Sequence, residues 1–189
     1  MRDSDSNQQQ RQFWIYRNLI VLCFLVFATI ARVLPHPWNF TPVGAMALFG
    51  GAKFGRSWKA FLFPLAGLFC GDLFLGFHRL VPVAYFSFCI SVFIGIAFRY
   101  RQSLGPLSLA TFLGALQFFL ITNFGFWAML DAYPHTLGGL LACYVAGLPL
   151  FENTLAGDGF YALLLFGGLW LVERANPALR MSTAGEAGG

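Results

Sequence analysis

The chain has 189 residues, of which 58% are hydrophobic and 11% charged, and its formal net charge is +4. Soluble domains carry roughly a quarter charged residues, so this chain cannot clothe a water-facing surface. The composition excludes a soluble enzyme, a disordered chain and a nucleic-acid binder; its basic residues are scattered between apolar runs, as in a polytopic, all-α bundle of transmembrane helices.

Residues 1–12 are polar and are expected to form a disordered tail. The first apolar run extends from about Phe13 to Leu34, enough to cross a hydrocarbon layer of about 30 Å. Arg11 and Arg17 stand at its start, but no small-x-small cleavage site follows it. It therefore reads as an uncleaved first span. The segment from Arg32 to Pro42 holds Pro35, Pro37 and Pro42, which forbid regular helix. A rigid loop carrying His36, Trp38 and Asn39 is expected there.

The second span, Val43 to Phe54, is short. Ala47, Gly51 and Gly55 recur every fourth residue, a ladder that lets helix backbones approach. Lys53, Arg56 and Lys59 make a basic turn. Span three runs from about Trp58 to Phe77, with Gly67 and Gly71. Span four runs from Pro82 to Phe98, with Ser87, Ser91 and Gly95, and ends at Arg99 and Arg101. The packing expected is of spans two, three and four on one another through these small residues. Span five runs from about Pro106 to Met129 and contains Gln117 and Asn123; the loop Asp131 to Thr136 follows.

Leu137 to Phe151 is apolar but short, and Pro149 stands near its end. Glu152 to Gly159 is a polar interruption before the last run, Phe160 to Val172. If Leu137–Phe151 is re-entrant or interfacial, the chain has six spans; if it crosses, seven. Six are expected. The transmembrane domain covers 13–175 and a polar tail covers 176–189. With the N-terminus in the cytoplasm, Arg2, Arg11, Arg17, Lys53, Arg56, Lys59, Arg99 and Arg101 fall inside, against Arg32 and Arg79 outside. This satisfies the positive-inside bias. The location expected is a bacterial inner membrane, crossed several times.

In that orientation His36, Asn39, Asp72, His78, Asn123, Asp131, Tyr133 and His135 gather at the outer end. Asp72 is the sharpest of them, because a carboxylate at the centre of a membrane helix costs about 2.5–3.5 kcal/mol on insertion scales. It reads either as an ion pair with Arg32 or Arg79, or as a ligand contact. Trp38, Trp127 and Tyr133 can stack on a planar ligand or belong to the interfacial aromatic belt. Asn123, followed by Gly125, offers hydrogen-bonding groups near a span end. A pocket lined by Arg32, His36, Asn39, Asp72, His78, Asn123, Trp127, Tyr133 and His135 is expected to open outward. His36, His78 and His135 give a secondary reading as metal ligands, without the close spacing of a metal motif. Asp158 is expected to cap the start of the last helix. Cys23, Cys70, Cys89 and Cys143 lie in apolar runs without a CxxC, so neither a disulfide framework nor a zinc site is expected. No catalytic signature is present and no cofactor is expected.

The stretch Arg32 to Ala52 (RVLPHPWNFTPVGAMALFGGA), together with Thr122–Trp127, Tyr133–Tyr144 and Pro149–Asp158, resembles a family of uncharacterised bacterial integral membrane proteins. More remotely, the pattern is similar to the substrate-binding (S) components of energy-coupling-factor transporters. That resemblance implies six helices, an inside N-terminus and outer loops closing over a vitamin or a metal. The implied partner is a transmembrane coupling subunit with cytoplasmic ATPases. Many S components carry small residues at i and i+4 on the first helix; here Ala28 and Ala31 are an i, i+3 pair. The function expected is small-molecule binding or uptake. The alternatives are a structural subunit of a membrane assembly, working through its small-residue ladders, or a membrane enzyme using Asp72 and the histidines.

Overall fold

The computed structural model describes residues 2–35, 37–101 and 103–176. Among these there are six α-helices and no strand: α1 (Arg2–Val33), α2 (Val43–Phe54), α3 (Lys59–Leu75), α4 (Val81–Ala97), α5 (Leu104–Met129) and α6 (Leu137–Ala175). The all-α class read from the sequence is correct. Residues 177–189, most of the expected C-terminal tail, lie outside the described residues.

The α1 backbone runs from Arg2. One reading is corrected. Leu137–Phe151 is neither a separate re-entrant segment nor a seventh span. It is the first part of α6, a continuous helix of 39 residues. Pro149 and the polar residues after it do not end that helix. Thr154, Gly157, Asp158, Tyr161, Ala162 and Leu165 are all buried, so they form one inward stripe at helical spacing.

The α2 helix is the central post. Its residues Val43 through Gly51 are all buried, and it touches each of the other five helices. Glycines set its two closest approaches. A Cβ on Gly51 would run into the carbonyl of Val92, and one on Gly95 into the carbonyl of Leu48, so α2 and α4 meet almost backbone to backbone. The ladders of spans two and four thus meet as expected. Of the Gly67/Gly71 pair of α3, Gly67 sits between α1 and α2, where an added Cβ would meet Thr29 and Met46, and Gly71 faces α1, where one would meet Arg32. A polar clasp joins α4 to α5: Ser87 Oγ donates to Gln117 Oε1 (3.0 Å), and Gln117 Nε2 donates to Ser91 Oγ (2.8 Å).

Ala28 and Ala31 are buried with Val21 and Leu25 in the core that α1 shares with α2 and α6. Large apolar side chains are exposed instead along the outer faces, among them Phe74 (78%), Phe86 (62%) and Val145 (65%). Apolar exposure on this scale exceeds the patches of water-facing monomers. Three helices are long and apolar enough to cross a membrane: α1 over Ile15–Val33, α5 and α6.

Candidate functional site

The chain reversals 34–42, 76–80 and 130–136 lie at one end of the bundle, and 55–58 and 98–103 at the other. A cavity of about 330 Å³ lies toward the first end, with walls from all six helices. Its size falls at the lower edge of the ~300–1,000 Å³ range of small-molecule sites. Phe88, Phe118, Phe119, Phe126 and Phe151 supply much of the apolar wall. Asn39, Thr41, Thr122, Asn123 and Thr154 supply hydrogen-bonding groups. Asn39 can hold its corner of the loop because its φ of 61° is tolerated by asparagine better than by most residues.

One wall carries a charge network. Arg32, in the last turn of α1, forms an ion pair with Asp72 near the end of α3. Tyr85 on α4 donates to the other carboxylate oxygen, Asp72 Oδ2, at 2.7 Å. Asp72 is 4% exposed, so both its oxygens are matched where water cannot reach them freely. A buried carboxylate needs this, because leaving a buried charge unpaired is strongly destabilising. The Gly71 position makes room for the arrangement: a Cβ there would press on the Arg32 side chain.

Five of the nine residues expected at the pocket line this cavity: Arg32, Asn39, Asp72, His78 and Asn123. His78 also accepts the Leu80 backbone N–H through Nδ1 (3.3 Å), so it closes the turn before α4. Asn123 donates to the Phe119 carbonyl (2.8 Å) and faces Gly147 of α6. Trp127, Tyr133 and His135 are elsewhere. The Trp127 indole donates to the Pro134 carbonyl (2.9 Å) and packs edge-on against His135, while Tyr133 meets Phe126. They tie down the loop before α6 rather than facing the cavity. Trp38 is 83% exposed. His36 lies outside the described residues. No cluster of three or more His, Cys, Asp or Glu side chains is formed among the described residues.

Sequence reasoning missed Tyr85, Thr41, Thr122 and Thr154 in the wall, and misplaced Asp158. Asp158 does not cap the helix it belongs to. It sits in the middle of α6, 3% exposed, and its Oδ1 accepts the N–H of Ala45 in the first turn of α2 (3.2 Å). Pro42 precedes that turn and its side chain caps nothing, so Asp158 supplies the missing acceptor from another helix. Gly44 is required beside it, since a Cβ there would overlap the carboxylate. Asp158 also lines a second, small chamber of about 40 Å³. Asn39, Thr41, Phe88, Phe118 and Thr154 line both spaces, so the chamber is a deep continuation of the cavity.

The sequence model of a family of unknown function, DUF6580, matches residues 13–179. No curated protein and no solved structure matches the chain.

Proposed function

Belonging to the DUF6580 family, this chain is, we propose, a multi-pass protein of a bacterial inner membrane that binds a small molecule in the cavity enclosed by its six helices. The observation that carries this reading is the cavity itself: about 330 Å³, aromatic in most of its wall, with the Arg32–Asp72–Tyr85 network on one side. Polar groups inside an apolar bundle persist mainly where they are paired or line a cavity, and here they do both. Because Arg32 and Asp72 offset each other, this wall favours a ligand recognised by hydrogen bonds and ring stacking over a strong acid.

Uptake is the finer reading, with the chain working as an S-component-like subunit beside a coupling subunit and cytoplasmic ATPases. Chain size, six helices and a cavity at the loop-rich end support it. The coupling partner would dock elsewhere than on Ala28 and Ala31, which are buried in the core.

The test is a cavity-filling variant. Ala84→Trp places an indole in the cavity wall. Wild-type protein in mild detergent should retain a small molecule by native mass spectrometry, or gain thermal stability from members of a metabolite library. The folded Ala84→Trp protein should lose both. Identical responses from the two proteins to every compound would remove the cavity as a binding site. Cross-linking in cells separates uptake from binding alone, since the uptake reading requires an ATPase-linked partner to be captured.

A further inference from the structure

Asp72 and Asp158 are the two buried carboxylates among the described residues, and their surroundings differ. Asp72 is matched by Arg32. Asp158 has no Lys, Arg or His nitrogen within 4.0 Å among the described residues. Its Oδ1 accepts the Ala45 N–H at the start of α2, the helix end that favours negative charge. It faces a chamber that also carries the Asn39 amide and the Thr41, Ser91 and Thr154 hydroxyls. The Thr154 hydroxyl donates to the Leu150 carbonyl (2.8 Å), and Ser91 Oγ already receives Gln117 Nε2. Both hydroxyl oxygens keep a lone pair, so they stand as acceptors beside the Asp158 carboxylate.

We propose that this deep chamber seats the ammonium end of a small primary amine, whose apolar or aromatic body fills the main cavity. The proposal rests on the reading of that cavity as a binding site. An ammonium group has three donors and no acceptor, which complements Asp158 and the Thr154 hydroxyl. The chamber, of about 40 Å³, has room for an –NH3⁺ group. Its carboxylate disfavours a phosphate or a second carboxylate by like charge. Phe88 and Phe118, stacked with centroids 5.2 Å apart, line both spaces. Aromatic faces at that neck attract a passing cation and then pack on the body behind it. A bare monovalent cation shares part of this chemistry. It would make no use of the aromatic cavity, which is why the amine is favoured.

The probes are benzylamine and benzyl alcohol, which match in shape and differ in charge. They are titrated calorimetrically into the full-length protein in detergent at pH 7, with sodium chloride exchanged for choline chloride in a parallel series. Wild-type protein should bind benzylamine at least about tenfold more tightly than benzyl alcohol, the scale of one charge-assisted hydrogen bond. Asp158→Asn should erase that preference, and Ala84→Trp should abolish binding of both. Thr154→Val removes one acceptor without disturbing the start of α2. It should weaken benzylamine several-fold and leave benzyl alcohol unchanged, and it decides the matter if Asp158→Asn does not fold. Equal affinity for the two probes, or a benzylamine affinity indifferent to both variants, overturns the proposal. So does sodium-dependent stabilisation, lost in Asp158→Asn, with benzylamine silent, because the chamber would then hold the bare ion. If neutral compounds bind in a manner blocked by Ala84→Trp while benzylamine gains nothing, the cavity stands as a site and the ammonium assignment alone fails. If no compound distinguishes Ala84→Trp from wild type, both fail.

Discussion

Asp72→Asn keeps the shape of its side chain and removes the charge that pairs with Arg32, whose side chain is only 14% exposed. Breaking a buried pair from one side costs about 3–5 kcal/mol. The variant should therefore melt well below wild type in detergent, and adding Arg32→Gln should restore most of the loss. A double variant no better than Asp72→Asn would mean that the pair is not coupled. Tyr85→Phe removes one hydrogen bond to the same carboxylate and should cost only about 1.5–3 kcal/mol. Asp72 was legible in the sequence because a lone carboxylate in an apolar run needs a partner, and Arg32 was one of two cations at that end. Tyr85 was not legible. A tyrosine among phenylalanines carries no spacing signal until the register of α4 against α3 is fixed in three dimensions.

Helix packing turns on whether a glycine meets backbone or side chain. A Cβ on Gly95 would strike the Leu48 carbonyl, which cannot rotate away, whereas Gly159 has nothing within 4 Å. Gly95→Ala should therefore lower stability by about 1–3 kcal/mol, as overpacking does. Gly159→Ala should leave it unchanged or raise it by up to about 1 kcal/mol, because alanine is the better helix former. Equal melting of the two variants would contradict the α2–α4 contact. Gly71→Leu should also destabilise, by driving Arg32 away from Asp72. The helices α2 to α5 were legible to within two residues, since apolar runs bounded by proline, glycine and arginine mark them. The helix α6 was not. Pro149 and the polar run after it looked like a break, yet Thr154 and Asp158 are one helical turn apart and point into the same cavity. An interruption in hydropathy was the polar stripe of a continuous helix.

At the scale of the molecule, the expected orientation places the cavity end outside and Lys53, Arg56, Arg99 and Arg101 inside. Single cysteines at Trp38 and Ala132, both in loops at the cavity end, test it in a background lacking Cys23, Cys70, Cys89 and Cys143. Both should react with a membrane-impermeant maleimide in intact cells; labelling confined to inverted vesicles would reverse the orientation. The candidate site was half legible at this scale. The polar residues of the connecting loops announce themselves. Those reaching the cavity from helix interiors become visible only when the bundle closes around α2.

The central helix has 12 residues, or about 18 Å at 1.5 Å per residue. In the expected orientation, with its basic end at the cytoplasmic headgroups, its other end would stop well short of the far side of a ~30 Å hydrocarbon layer. Asp158, hydrogen-bonded to the first turn of that helix, would then lie about 12 Å below the outer boundary. In that placement the short post would bring the outer aqueous phase partway down the membrane's electric field. A positive group that reaches Asp158 has crossed roughly two-fifths of the potential. An interior-negative voltage would draw it in by about 0.9 kcal/mol per 100 mV, close to fivefold in affinity. In proteoliposomes, benzylamine occupancy should rise when a potassium diffusion potential makes the interior negative, whereas benzyl alcohol occupancy should not respond to voltage.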